Sequence, residues 1–212
     1  MEGRRGYGEG CAVAHGLELI GERWTLLIVR ELLLGPKRFN VLRSGLLQAN
    51  SNALSLRLKL MEQDGLVQHR KLGAPTNAWV WGLTDWGYEL EPIILAIGGW
   101  ARSSPMLDQD GWFSPDALIL HLKARFSSGA LPPAGRYRVR IADDVYSIVV
   151  VDGSAIRVER SEPCDPDVTI DSELSTLTAV IKHREPFADA LGDGRLAIQG
   201  DRNAAERLLT GH

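Results

Sequence analysis

The sequence predicts an α+β chain in two units, the first mostly helical with a two-stranded wing, the second built on a sheet of roughly five strands. Three observations predict it. Residues 48–67, QANSNALSLRLKLMEQDGLV, form a two-faced helix and are followed by two short alternating strands, the layout of a winged helix-turn-helix. A polar stretch containing Pro105, from Arg102 to Asp110, separates two different hydrophobic patterns. The charge divides in the same place. Residues 1–104 carry 12 Lys and Arg against 10 Asp and Glu, and residues 105–212 carry 12 against 17, so the halves stand at +2 and −5. Within residues 30–71 the count is 8 against 3, which puts the positive charge where the helix-turn-helix is read.

The domain organisation expected is a flexible arm over residues 1–10, a first domain over 11–104 and a second over 111–212. With 44% apolar and 24% charged residues, the 212-residue chain suits a globular protein with two modest cores. No apolar run approaches the roughly 18 to 20 residues that span a bilayer, and MEGRRGYGEG lacks the apolar block of a signal peptide. A cytoplasmic location without a membrane partner is expected. Cys11 and Cys164 stand too far apart in sequence for a CxxC metal site and are expected as reduced thiols.

In chain order, Ala12–Ile20 is helical by pattern, with Val13, Leu17 and Ile20 on one face. Trp24–Leu34 is apolar almost all round and is expected to be buried on several sides. Gly35-Pro36 breaks it, and Lys37–Leu46 gives a short helix with Phe39, Leu42 and Leu46 inward. In the next helix Leu54, Leu58 and Met61 form the buried stripe, while Asn52, Ser55, Leu56 and Lys59 point the other way. Asn50 or Ser51 can cap its start, and Gly65 can turn left-handed after its end. Gln68–Leu72 and Ala78–Leu83 are the wing strands, with residues 73–77 at the tip. Thr84-Asp85 starts one further helix, Trp86–Ala101, bearing Leu90, Ile94, Ile97 and Trp100.

The exposed side of residues 51–59 holds short polar groups and cations, which suits a nucleic-acid groove. The second helix of such a pair lies in the major groove, so Asn52, Ser55 and Lys59 are candidates for base edges, with Ser51 beside them. Leu56 offers apolar contact to a thymine methyl. Arg38, Arg43, Arg57, Arg70 and Lys71 are placed as phosphate cations, which give affinity and salt dependence. A two-fold dimer would read a pseudo-palindromic operator in double-stranded DNA.

Six blocks carry a resemblance: Cys11-Ala-Val-Ala, Ile20-Gly-Glu-Arg-Trp-Thr-Leu-Leu-Ile, Arg38-Phe, Asn52-Ala-Leu-Ser-Leu-Arg-Leu-Lys, Asp64-Gly-Leu-Val and Leu83-Thr-Asp-Trp-Gly. Together, from about Cys11 to Trp100, they resemble the HxlR family of bacterial transcription regulators. The resemblance implies a homodimer whose first and last helices form the two-fold interface, making Val13, Leu17, Ile94, Ile97 and Trp100 dimer contacts. Leu56 departs from the polar residue usual there, which leaves the base preference open. Cys11 stands at a helix start, where the dipole and Arg4 or Arg5 favour a thiolate, and some relatives use such a cysteine as a redox or electrophile sensor. The alternative for Cys11 is a small apolar residue at the dimer interface. His15 has no second ligand at helical spacing and reads as a surface or interface histidine.

The second unit opens with Ser114-Pro115-Asp116, a cap and a first-turn proline, on a helix running to about Phe126. Residues 131–135 are a turn. Arg136–Ala142, Tyr146–Val151 and Ala155–Glu159 read as strands joined by hairpin signals at Asp143-Asp144 and Asp152-Gly153. Asp167–Asp171 is a fourth strand, Ser175–His183 and Pro186–Leu191 are helices, Arg195–Gln199 is a fifth strand, and Asn203–Leu209 is a last helix.

Pro166-Asp-Val-Thr-Ile, residues 174–181 and the run from Ala190 to Asp201 are similar to the closing part of the sterol-carrier-protein-2 fold, SCP2. That resemblance implies a five-stranded sheet under helices with an apolar cavity for hydrophobic molecules. Leu118, Leu122, Phe126, Leu177, Ile181, Phe187 and Leu191 line that pocket or, in a packed version, are simply core. Gly200 and Asp201 are expected to form a turn and a helix cap.

No Gly-rich phosphate loop, GxSxG, HExxH or paired Cys/His spacing is present, and His121, His183 and Asp189 are scattered without a nucleophile. No catalytic residue, cofactor or metal is expected. Three functions remain: a DNA-binding regulator sensing a hydrophobic small molecule through its second domain, a regulator switched at Cys11, or a hydrophobic-ligand carrier tethered to a dimerising winged helix.

Overall fold

The computed structural model describes residues 6–74, 76–126, 132–151 and 155–211. Arg4, Arg5, part of the wing tip, the start of the turn at residues 131–135 and the Asp152-Gly153 hairpin signal lie outside them. The chain divides into two compact units, Met1–Ile97 and Gly98–His212. It is α+β, with a winged helix-turn-helix first and a five-stranded sheet second.

The first unit contains α1 (Ala12–Ile20), α2 (Thr25–Leu32), α3 (Phe39–Ser44) and α4 (Ser51–Gln63). Strands β1 (Val67–Lys71) and β2 (Trp79–Leu83) follow, then α5 (Asp85–Tyr88) and α6 (Glu91–Ala101), whose last residues, from Gly98, belong to the second unit. Asn50 caps α4 by accepting a hydrogen bond from the Ala53 N–H at 2.8 Å, and Gly65 takes a φ of 76° as the chain leaves it. The stripe Leu54, Leu58 and Met61 is buried, as are Ile28, Val29 and Leu32 of α2, Leu42 of α3 and Val67 and Val80 of the wing. β1 and β2 pair antiparallel with His69 opposite Trp81. Lys37 adds a rung to the wing, exchanging backbone hydrogen bonds with Trp81 in both directions.

Two expectations change. The helix expected over Trp24–Leu34 stops at Leu32; Thr25, Ile28, Val29, Glu31 and Leu32 are buried, as expected on several sides, and Leu27 is exposed. The single helix expected over Trp86–Ala101 is two. Pro92 has no N–H to donate to the Tyr88 carbonyl, so α5 ends there and a new helix begins with the Ile94 N–H bonded to the Leu90 carbonyl.

The second unit contains α7 (Pro115–Phe126), β3 (Gly135–Ile141), β4 (Asp144–Val151), β5 (Ala155–Glu159) and β6 (Val168–Ser172). It closes with α8 (Leu174–Ile181), α9 (Phe187–Gly192), β7 (Leu196–Gly200) and α10 (Arg202–Thr210). The sheet order is β5-β4-β3-β6-β7, with β3 and β6 parallel and the other neighbours antiparallel. Alternation sorts its faces. Tyr137, Val139, Ile141, Tyr146, Ile148, Val168 and Ile170 are buried. On the other face Arg138 and Arg140 of β3 both reach Asp171 of β6.

Polar anchors fix the helices of this unit. The Ser114 hydroxyl accepts from the Ala117 N–H at the start of α7. Asp116, one residue into α7, is buried and accepts from the Tyr146 hydroxyl at 2.6 Å and from Arg160 at 2.5 Å. At the other end of α7, Arg125 donates to the Leu208 and Leu209 carbonyls at 2.9 and 2.7 Å, satisfying acceptors that α10 leaves without helical partners. Asp201 caps α10 through the Asn203 and Ala204 N–H groups. Gly200 is required before it: its φ is 94°, and a Cβ there would collide with the Asp167 carbonyl oxygen.

Candidate functional site

The placement of α4 depends on one buried charge. Glu31, on α2, is fully buried and accepts from the Lys37 ammonium at 2.7 Å and from Arg30 at 2.8 Å. Arg30 also reaches the Gly45 carbonyl in the turn between α3 and α4. A side chain at Gly45 would strike the Glu31 carboxylate. Glu31 thus ties α2 to the segment that pairs with the wing and to the turn of the helix-turn-helix. Spacing did not reveal this hub, although a Glu-bearing apolar run, WTLLIVRELLL, was its signal.

With α4 so held, Asn52, Leu56 and Lys59 are exposed, and Ser51 and Ser55 are half-buried on the same helix. Leu56 is 61% exposed, a large apolar side chain with water on most of its surface. Arg43, on α3, donates to the Ser51 hydroxyl at 2.9 Å across the turn, so the two helices of the pair are joined at their outer edge. Arg57 is 15% exposed and pairs with Glu22 at 3.0 Å. Arg38 is exposed at the N-cap of α3, and Arg70 and Lys71 are exposed on β1. Beside them the His69 ring stacks against Trp79 and Trp81 of β2, with centroids 4.9 and 4.5 Å away, and the His69 N–H donates to Glu62 of α4. That aromatic stack, not anticipated from the sequence, stiffens the wing and ties it to α4.

Helices α1 and α6 leave apolar surface uncovered. Val13 and Leu17 on α1 are exposed, Val13 to 70%. α6 buries none of its residues: Ile94 is half-buried, Ile97 is exposed and Trp100 is 80% exposed. Cys11 is exposed at the N-cap of α1. Its thiol pKa lies below the ordinary value because the backbone N–H groups of Ala14 and then Val13 stabilise the thiolate.

In the second unit Leu118, Leu122, Phe126, Leu177, Ile181 and Phe187 are buried in the core, and Leu191 is half-buried. None of the seven lines the cleft of about 470 Å³ that lies between residues 110–113 and α8, whose walls include Trp112, Phe113, Ser175, Thr178 and Arg184. Next to it, burial and the positive charges of Arg102, Arg125 and Lys182 push His121 down to about 4. Its ring stands edge-on to Phe113.

Two families match successive parts of the chain. Residues 19–109 match the HxlR-like helix-turn-helix family, and residues 130–210 match the SCP-2 sterol transfer family. Two Bacillus subtilis proteins described as uncharacterized HTH-type transcriptional regulators are similar to part of this chain. YdeP is 36% identical over 95 residues, which is 44% of this chain and 73% of YdeP. YybR is 35% identical over 97 residues, which is 45% of this chain and 77% of YybR. Among solved structures, the redox regulator HypR in its oxidized form is 30% identical, with a TM-score of 0.42, over 46% of this chain and 100% of that one.

Proposed function

Because the chain belongs to the HxlR-like helix-turn-helix family of transcriptional regulators, we propose that it is a cytoplasmic, homodimeric, sequence-specific DNA-binding regulator whose second unit answers a hydrophobic small molecule. The observation that carries this is the polar and cationic outer side of α4, held in register by the Glu31 hub. Asn52, Ser55 and Lys59, with Ser51, address base edges, and Leu56 addresses a thymine methyl. Arg38, Arg43, Arg57, Arg70 and Lys71 address phosphates, and Arg57 exchanges its Glu22 partner to do so. Val13, Leu17, Ile94, Ile97 and Trp100 supply the two-fold contact. Uncovered apolar surface on α1 and α6 supports that assignment. A two-fold dimer of this kind reads half-sites about 10 bp apart or a multiple of it. No helix among the described residues is long and apolar enough to cross a membrane.

The test is mobility-shift binding to the DNA upstream of the protein's own gene, with scrambled DNA of equal length as competitor. Preferential retardation of the upstream DNA is expected, and equal competition by scrambled DNA would remove the sequence-specific reading. A second reading is favoured by Cys11, whose exposed thiol lies at a helix start with its thiolate stabilised. There the switch is modification of that sulfur. A Cys11→Ser variant separates the two, because it abolishes release of DNA by an oxidant and leaves release by a small molecule intact.

A further inference from the structure

Residues 108–113, which lead into α7, are strapped across the second unit by two cations that follow α8. The Lys182 ammonium donates to the Gln109 carbonyl and stands 4.9 Å over the Phe113 ring. Arg184 pairs with Asp110 at 2.9 Å. The strap leaves between itself and α8 the cleft of about 470 Å³, within the size range of small-molecule sites.

The walls of this cleft differ in kind. Trp112, half exposed, and Phe113 present aromatic surface on the strap, and Leu174 and Ala179 present apolar surface on the helix. Ser175 and Thr178 stand one turn apart between them. From Leu174 to Ala179 the helix rises about 8 Å, the length of one or two fused rings with a substituent.

Charge selects the ligand. Glu173 lines the cleft at the N-terminal end of α8 and repels a carboxylate there, which confines the charged end of a ligand to the Arg184 end, where Asp110 is the other acid of the lining. At the other end Lys182 and Arg184 repel each other, and the Lys182 pKa is lowered, first by burial and then by Arg184. The only acid paired with Arg184 among the described residues is Asp110, whose side chain is 89% exposed, and an exposed pair of this kind contributes little net stability. An incoming carboxylate can therefore take Asp110's place on the planar guanidinium at small cost.

We propose that this cleft is the effector site and that it takes a planar aromatic carboxylate of one or two rings, its ring against Trp112 and its carboxylate on Arg184. The assignment rests on the effector-binding role proposed above for the second unit, and it places the site outside the buried helical core. A ligand carboxylate on Arg184 frees Asp110, so binding exchanges one of the contacts that hold the strap, which follows α6 in sequence by a few residues.

The experiment is titration calorimetry of the full chain with 1-naphthoate and with its uncharged counterpart 1-naphthamide. Saturable naphthoate binding with a Kd below about 1 mM is expected. The amide is expected to bind roughly tenfold more weakly, because it cannot form the charge-assisted pair. Arg184→Gln, which disturbs only a surface ion pair, should erase that difference, and Trp112→Ala should weaken both ligands. Absence of saturable naphthoate binding, equal binding of acid and amide, or unchanged selectivity in Arg184→Gln would each overturn the assignment. A mobility shift on the same preparation judges the regulator reading separately, since failure to bind specific DNA leaves the calorimetric result standing.

Discussion

The Lys37 ammonium lies 2.7 Å from the Glu31 carboxylate, with both side chains buried in the first unit. Removing Lys37 takes one cation off the buried Glu31 carboxylate and leaves Arg30 as another, so the cost falls below the roughly 3–5 kcal/mol of a fully stranded buried charge. Lys37→Met is therefore expected to lower the urea midpoint, and Gly45→Ala to destabilise the same unit by displacing the carboxylate. Urea unfolding followed by circular dichroism checks both. A midpoint unchanged in Lys37→Met would show that the pair does not hold the helix-turn-helix turn.

The polar side of α4 and the wing cations should fail in different ways. Lys59→Ala is expected to reduce discrimination between operator and scrambled DNA by about 1–3 kcal/mol. Arg70→Ala should weaken binding to both DNAs alike and reduce the slope of log affinity against log salt by about 1. Affinity titrations at several salt concentrations distinguish the two patterns, and the reverse pattern would exchange the roles assigned here.

Val13 touches mostly water in the single chain, so Val13→Asp should leave the fold of the protomer within about 0.5 kcal/mol of wild type. In a dimer built on α1 and α6 the same change buries an unpaired carboxylate. Sedimentation velocity is expected to show a monomer for this variant and a dimer for wild type. A Val13→Asp dimer of undiminished affinity would exclude this face.

His121 makes stability depend on pH. Its folded value of about 4 lies below the ordinary 6.5, so between those values the unfolded chain binds the extra proton and the folded one does not. Stability present above pH 6.5 is lost as the pH falls toward 4. His121→Gln should flatten the fall in Tm across that window, and an unchanged slope would mean that other groups carry it.

Much of the architecture could be read from spacing, because it is local. The cap at Asn50, the stripe Leu54, Leu58 and Met61, the wing strands and the Asp201 cap all follow from residues within one or two turns of each other. What escaped was set by distance along the chain or by a single missing donor. The break before α6 turns on the absent N–H of Pro92, which an apolar pattern passes over. The parallel pairing of β3 with β6 and the strap of Asp110 to Arg184 join segments that no periodicity links. Periodicity in α7 and α8 marked Leu118, Leu122 and Leu177 as inward, but it does not distinguish a packed core from a lined pocket.

The hydrogen bonds from Arg125 to the Leu208 and Leu209 carbonyls reach across more than half of the second unit, to the last helix of the chain. That has a consequence for the order of synthesis. β3 cannot acquire its parallel neighbour until Val168–Ser172 has been made, nor α7 its carbonyl partners until α10 has been made, and pairings so far apart in sequence form slowly. The first unit ends at Ile97 and has a core of its own. A nascent chain therefore completes the helix-turn-helix while the sheet domain is still being translated, and every molecule passes through an interval in which it holds the first unit without the second.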